Sequence, residues 1–283
     1  MKSAENFLNY LKNFPRRLIN KLKFEYRRFK NRYFPVFNQR NVITKDLANT
    51  TLTILEIGPF TQPLLVGQNI KYFDLMDKDS LIKRAESYNL DVSKIPEIDY
   101  IHPEGDLNSI QAKFDVVVSA HVIEHQPDLI RHLNAVERLL DESEEGLYRL
   151  VIPDKRYCFD AFIPESGVRE IIHNYEVQQK KPDRLRVIQS ETLTTHNYAR
   201  RHWRADSENP LVDIDEKWKK AEIFYSENEG RYIDVHMWQF TPKSFEFVIN
   251  TLHALNYTKF VVQTINPTRR NHLEFSAILK IAG

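Results

Sequence analysis

Ile54-Leu55-Glu56-Ile57-Gly58-Pro59-Phe60 is a short apolar run that stops on a glycine. Such a run reads as a strand buried on both faces that opens into a loop at its carboxyl end. A ligand approaching backbone amides there needs a residue without a side chain, and Gly58 supplies it. Working outward, apolar runs at Leu52–Ile57, Ile70–Leu75, Ile98–Ile101, Phe114–Ala120 and Leu147–Ile152 alternate with helical stretches. That alternation is the pattern of an α/β parallel sheet covered on both faces. Between the last two runs, Leu129, Ile130, Leu133, Val136, Leu139 and Leu140 recur at helical spacing over Asp128–Leu140, with Pro127 near the start. Thr241-Pro242 reads as an N-cap and a first-turn proline opening a helix through about Ala254. Runs at Tyr257–Ile265 and Leu273–Ile281, parted by a turn with Pro267 and Asn271, complete seven strands, and these two are close enough to pair as a hairpin.

Acidic residues follow the strands at telling distances. Asp74 and Asp77 lie 16 and 19 positions after Gly58, near the ~20 expected of a carboxylate that grips ribose hydroxyls. Asp74 more naturally ends a short strand, while Asp77 has the better spacing to the next helix, so both stand as candidates. Asp106 follows the third run in Gly105-Asp106-Leu107. The fourth run continues as Phe114-Asp115-Val116-Val117-Val118-Ser119-Ala120-His121-Val122-Ile123-Glu124-His125, a buried strand ending in a polar turn.

In this order, Leu-Glu-Ile-Gly, Asp, Gly-Asp-Leu and Phe-Asp-Val-Val-Val-Ser-x-His-Val-Ile-Glu-His, the chain resembles the class I S-adenosylmethionine-dependent methyltransferases. It is most similar to the "methyltransferase domain 11 and 23" group, over residues 50–155 and the final two strands. The resemblance implies a Rossmann-like seven-stranded methyltransferase sheet whose last strand is antiparallel, with S-adenosyl-L-methionine as cofactor. It also implies that Gly58 lies against the methionine part, an Asp of the second strand grips the ribose, Asp106 meets the adenine edge, and residues after the fourth strand close the pocket. The cofactor-facing set is then Glu56, Gly58, Pro59, Asp74, Asp77, Asp106, Leu107, Ser119 and His121. One departure stands out: Phe60 and Gln62 occupy loop positions where that family commonly has glycine. With seven glycines in the whole chain, the loop is expected to be stiff and side-chain-filled.

The 283 residues carry 40 Lys/Arg against 39 Asp/Glu, so the charge balance gives no support to a general polyanion binder, and no DNA partner is expected. One cysteine, Cys158, excludes an internal disulfide framework and a thiolate-rich zinc site within one chain. No run approaches ~20 apolar residues, which argues against a transmembrane span, and the expected location is cytoplasmic. The charge is nevertheless uneven. Residues 1–40 hold eleven Lys/Arg against Glu5 and Glu25, a net of +9 that leaves −8 for the rest. Phe7, Leu8, Leu11, Leu18, Ile19, Leu22 and Phe29 recur there at roughly helical spacing, broken by Pro15. Residues 1–45 therefore read as a basic amphipathic helical arm, packed on a methyltransferase domain at 46–283. The arm also offers a peripheral contact with the inner face of a membrane or with an acidic protein partner.

Residues 153–241 fit no sheet layer and read as a lid or substrate-binding insertion after the fifth strand. They hold all three tryptophans, Trp203, Trp218 and Trp238, with His173, His196, His202 and His236. A sulfonium methyl is already electrophilic, so the protein must align an in-line displacement and, for a hydroxyl acceptor, remove a proton. Histidine suits that role. His121 at the pocket mouth and His196, His202 and His236, expected to converge near the acceptor, are the candidate bases, while His125 reads as structural. Asp154 is positioned to orient an acceptor hydroxyl, and Lys155 and Arg156 to hold a phosphate or carboxylate. No paired-carboxylate or His-x-x-x-His spacing points to a metal, and none is expected.

The leading functional reading is methyl transfer to an oxygen of a sugar, glycan precursor or phosphorylated small molecule, with a small-molecule or glycan acceptor as partner. The alternatives are a tRNA or RNA methyltransferase using the basic arm, and a non-catalytic protein of this fold serving glycan assembly. A nicotinamide-dependent enzyme is disfavoured, since no Gly-x-Gly-x-x-Gly follows the first strand.

Overall fold

Seven strands form one sheet: β1 (Ile54–Ile57), β2 (Ile70–Asp74), β3 (Tyr100–Ile101), β4 (Val116–Ala120), β5 (Leu147–Pro153), β6 (Phe260–Asn266) and β7 (Glu274–Ile281). The computed structural model describes residues 38–48, 50–141 and 146–282. The basic arm therefore lies, up to residue 37, outside the described residues. The strand order is β3-β2-β1-β4-β5-β7-β6. β1 pairs with β2 and β4 in parallel, β2 with β3 and β4 with β5 likewise, whereas β7 runs antiparallel to both β5 and β6. This is the expected Rossmann-like methyltransferase sheet, with its hairpin and antiparallel last strand.

Strands β1, β3, β4, β6 and β7 start later than their apolar runs, whereas β2 and β5 start where the runs do. Thr53 leaves the ladder because the Asp115 carboxylate takes both its backbone N–H, at 2.6 Å, and its hydroxyl, at 2.8 Å. Phe114 is joined only through an isolated bridge to Leu140. Period-two alternation sorts the side chains between the faces. Tyr148, Leu150 and Ile152 of β5 enter a large apolar cluster with Leu55, Ile57 and Val117. Ile54, Tyr72, Val116 and Val118 build a second cluster with Leu47 and Leu65.

Helix α1 (Gln39–Thr44) packs on β5 and β7. It is fixed by the Gln39 amide, whose Oε1 accepts from Ser276 Oγ at 2.8 Å, and by the buried Arg149 guanidinium. That group donates to Ile43 O at 2.9 Å and to both oxygens of Asp46, at 2.6 and 2.9 Å. Residues 39–45 consequently belong with the sheet in the unit Gln39–Gly283, not with an arm ending at 45. Helix α2 (Lys78–Ser87) follows β2, and α3 (Leu129–Leu139) carries the expected stripe of Leu129, Ile130, Leu133, Val136 and Leu139 into the core.

The insertion is helical: α4 (Val168–Glu176), α5 (Arg184–Leu193), α6 (Ala199–His202) and α7 (Ile214–Glu227). Helix α8 (Pro242–Ala254) then starts at Thr241 with a reciprocal capping box to Ser244 and Pro242 in its first turn. Among the described residues no helix is long and apolar enough to cross a membrane.

Candidate active site

The chain passes from β1 outward to β2 and β3 on one side and to β4 and β5 on the other, so the order reverses between β1 and β4. In open α/β sheets a ligand crevice opens at such a switch point, outside the carboxyl ends of the strands. Here those ends carry Gly58 and the turn from His121 to His125.

Gly58 has φ +68, and a Cβ built on it would stand 2.8 Å from Val122 Cγ2. The glycine is thus demanded by its own backbone angle and by the β4 turn packed against it, and not only by ligand approach. Residues 58–69, joining β1 to β2, contain no helix. Their hold is the buried Glu56 carboxylate, which accepts from Leu64 N at 2.7 Å and Leu65 N at 3.2 Å. Burial pushes its pKa up to about 7 against the pull of these amides. Glu56 therefore anchors the loop. Pro59 is buried and its carbonyl accepts from Gln62 N at 3.1 Å. Phe60, at φ 41, packs against the cluster of Leu81, Ala85 and Ile95.

The two aspartates separate cleanly. Asp77 is the N-cap of α2, accepting from Ser80 N at 2.8 Å, which is a structural role. Asp74 sits at the carboxyl end of β2, half-buried, with its Oδ1 accepting from Leu75 N at 2.7 Å. Burial raises its pKa, offset in part by local backbone amides and the Arg84 charge. Asp106 caps a short 3-10 turn, with Asn108 N at 3.1 Å, and remains partly exposed. The Leu107 side chain is buried in the main core and so does not face a ligand. Ser119 is also turned away: its hydroxyl is 2.9 Å from Tyr148 Oη, which in turn meets His132 Nε2 at 2.9 Å in the buried layer under α3.

Asp154 is wholly buried and fully occupied. Its carboxylate accepts from the backbone N, Nε and Nη2 of Arg156 and from Thr268 Oγ1 at 2.6 Å. It holds the β5 exit and is not free for an acceptor hydroxyl. Arg156 is engaged by the same pair, and Lys155 Nζ donates to Ala161 O at 3.0 Å, so neither stands ready for a substrate anion.

The histidines do not all converge. His196 and His202 lie against each other, 4.2 Å between ring centroids. Their nitrogens are taken by loop groups: His202 meets Ser207 Oγ and His196 O, both at 2.8 Å, and His196 Nε2 meets Asp206 O at 2.8 Å. His236 goes elsewhere, to the β4 turn. Met237 N and Trp238 N both donate to Glu124 O, at 2.7 and 3.1 Å, and Trp238 Nε1 donates to Gln126 O at 2.6 Å. This pins Val235–Phe240 over the turn and makes the fully buried Trp238 a core residue. Trp203 stacks on Tyr157 at 3.9 Å, and Trp218 is exposed.

At the turn, three imidazoles surround one buried carboxylate. Glu124 is fully buried, and its Oε1 lies 3.5 Å from His121 Nδ1, 3.9 Å from His236 Nε2 and 4.0 Å from His125 Nε2. Each ring points its other nitrogen at a second acid. His121 Nε2 meets Glu274 Oε2 at 2.9 Å, His236 Nδ1 meets Asp160 Oδ2 at 2.6 Å, and His125 Nδ1 lies 2.8 Å from Asp234 Oδ1. The last contact is poorly aligned for a hydrogen bond and acts as an ion pair. It holds the Asp234 carboxyl down at about 2, and Arg84, 2.9 Å from Asp234 Oδ2, adds to the effect. His125 responds in kind: burial lowers its pKa, but Asp234, Glu124 and Asp160 together outweigh that and raise it. His121 itself sits at φ 56, a left-handed angle sparsely used by non-glycine residues and often tied to function. Sequence reading missed Glu124, Asp160, Asp234 and Glu274. The spacing His121-x-x-Glu124-His125 was the visible signal; the acids come from distant segments.

No family model matches the chain, and no curated protein matches its sequence. Among solved structures it aligns with a CurJ carbon methyltransferase at TM-score 0.37 and 18% identity, covering 86% of this chain and 53% of that one. It aligns with the methyltransferase CalH in complex with SAH at TM-score 0.40 and 13% identity, over 86% and 55%. A putative Zn-dependent alcohol dehydrogenase from Rhodobacter sphaeroides gives TM-score 0.45 and 12% identity, over 89% and 94%. The chain spans about half the length of the CurJ and CalH chains. These likenesses carry no chemistry, and the strand order itself establishes that the chain has the class I methyltransferase fold.

Proposed function

We propose that the protein transfers the methyl group of S-adenosylmethionine to an oxygen of a small polar acceptor, a sugar or glycan precursor being the favoured class. A fold does not by itself fix an activity. The observation that carries the reading is that the carboxyl ends of β2 and β4, on either side of β1, bear an acid and a cluster of imidazoles. Asp74 supplies the carboxylate at the β2 end, where a ribose would be gripped. His121, held between Glu124 and Glu274, supplies an imidazole at the β4 exit, on the other side of β1.

Bound S-adenosylmethionine would supply an electrophilic methyl on a positively charged sulfur. An acceptor oxygen would take that methyl with S-adenosylhomocysteine as the leaving group, and an imidazole of this chain would receive the hydroxyl proton. Glu274 fixes His121 Nε2 at 2.9 Å, while Nδ1 faces the buried Glu124 carboxylate at 3.5 Å, so a proton taken up by this ring would be stabilised by acids on both sides. A phosphorylated acceptor draws less support than a neutral one, because Lys155 and Arg156 are occupied within the chain.

Isothermal titration of the full chain with S-adenosylmethionine and S-adenosylhomocysteine tests the first half. Micromolar binding that weakens at least tenfold in Asp74→Ala supports it, and absence of binding to both ligands overturns it in favour of a non-catalytic protein of this fold. Transfer of a labelled methyl group across a panel of nucleotide sugars tests the second.

A further inference from the structure

The Glu124 carboxylate is fully buried, yet neither of its oxygens receives a hydrogen bond. A buried carboxylate left without a donor or counter-charge costs several kcal/mol. A protein keeps such a group where something else satisfies it. What faces it are imidazole nitrogens whose far sides are held by acids. That is the arrangement of a metal ligand set with its outer carboxylates, which fix each ring's tautomer and raise its basicity.

Ligand atoms of Glu124, His125 and His236 all lie within 4.8 Å of one another. Around a four-coordinate zinc ion with arms of ~2.0–2.1 Å, neighbouring ligand atoms stand about 3.4 Å apart. The observed 3.9 and 4.0 Å from Glu124 Oε1 to the two rings need a contraction of roughly half an ångström to reach that spacing, and the ligand atoms of the two rings lie within 4.8 Å of each other. Charge argues the same way. Glu124, Asp160 and Asp234 crowd the two rings, and Arg84 answers only the outermost of them.

We propose that Glu124, His125 and His236 form a binding site for a divalent first-row transition ion, of the class of Zn2+, with Asp160 and Asp234 as the outer carboxylates. Two nitrogens and one carboxylate oxygen match the borderline ions and not Mg2+ or Ca2+, which prefer all-oxygen sets. Three protein ligands leave a coordination position open, as in catalytic and not structural sites. The site stands on its own geometry; that an acceptor hydroxyl occupies the open position, its pKa lowered by the ion, rests on the methyl-transfer reading above.

The test uses the full chain, stripped with a chelator and dialysed, with no S-adenosylmethionine present. Titration with Zn2+ by calorimetry, and metal analysis after dialysis, are expected to give one ion per chain. Co2+ substitution is expected to give the intense visible absorption of a low-coordinate site. His236→Gln should weaken Zn2+ binding at least 100-fold, and Asp160→Asn by 10–100-fold, each checked for folding by circular dichroism. Should His236→Gln fail to fold, wild-type stoichiometry and Asp160→Asn decide. Substoichiometric zinc in the wild type, or variants that bind as the wild type does, overturns the site. Because S-adenosylmethionine binding is measured separately on the metal-free chain, failure of one proposal is distinguishable from failure of the other.

Discussion

His236 Nδ1 stands 2.6 Å from Asp160 Oδ2 in a buried pocket, while the opposite ring nitrogen faces Glu124 Oε1 at 3.9 Å. The acid thereby dictates which nitrogen carries the proton, leaving the other a lone pair directed at the β4 turn. Asp160→Asn keeps the shape but can present an N–H to that ring. We expect kcat for methyl transfer to fall at least tenfold with KM for S-adenosylmethionine changed less than twofold, and the pH–rate profile to shift. A merely structural contact would instead lower the melting temperature and leave the profile in place.

Asp74 and Asp77, three residues apart, should respond oppositely. Asp77→Ala removes a helix N-cap and is expected to cost about 1 kcal/mol of stability, with cofactor affinity unchanged. Asp74→Ala should leave the melting temperature nearly unaltered while weakening S-adenosylmethionine binding tenfold or more. Denaturant unfolding and calorimetry on both variants separate the two roles.

Gly58→Ala meets two obstacles, the left-handed angle at φ +68 and the 2.8 Å approach to Val122 Cγ2. A loss of about 1–3 kcal/mol follows. Adding Val122→Ala relieves the clash but not the backbone angle, so the double variant should recover only part of the loss. Full recovery would assign the whole effect to the side-chain contact.

The Asp234 carboxyl lies at about 2 in the folded protein, below its ordinary value near 4. A depressed acid contributes stability that is present above its unfolded pKa and lost as pH falls through the folded one, here between about pH 4 and pH 2. With its side chain 46% exposed, solvent screening limits the effect to about 1 kcal/mol. Unfolding free energies across that window should show this loss in the wild type and a shallower one in Asp234→Asn.

Glu56 behaves in the other sense, its pKa raised to about 7 by burial. Its charged form is disfavoured on folding, so stability should decline as pH rises from about 4.5 to about 7, by up to about 3 kcal/mol. Glu56→Gln removes the titration and should flatten that segment of the curve. It also sets an amide N–H2 against Leu64 N or Leu65 N, and is expected to loosen residues 58–65 in hydrogen exchange.

The architecture was legible because period and punctuation repeat along the chain. Buried strands read as unbroken apolar runs, and α3 and α8 announced themselves by a helical stripe and by Thr241-Pro242. The site was legible only where it is local. The distance to Gly58 pointed to Asp74 and Asp77 alike, which only the N-cap contact of Asp77 with Ser80 separates, and His121, Glu124 and His125 sit within five positions. What was hidden is tertiary. Ser119 and Leu107 point into the core because strand alternation and a capped turn aim them there, which the motif's spelling does not disclose. Asp154 looked available because its partner Thr268 is 114 residues away. His236 was grouped with His196 and His202 by composition, but backbone bonds from Met237 and Trp238 to Glu124 O draw it to the opposite company.

The placement of Glu274–Ile281 between β5 and β6 also bears on how the molecule matures on the ribosome. Until those eight residues emerge, β5 is an unzipped border and β6 has no neighbour, so a nascent chain exposes pairing-competent backbone to chaperones and proteases. Glu274, first in that strand, is also the acid that orients His121. Translation that stalls upstream therefore yields a product lacking both its sheet closure and the carboxylate that holds His121 Nε2.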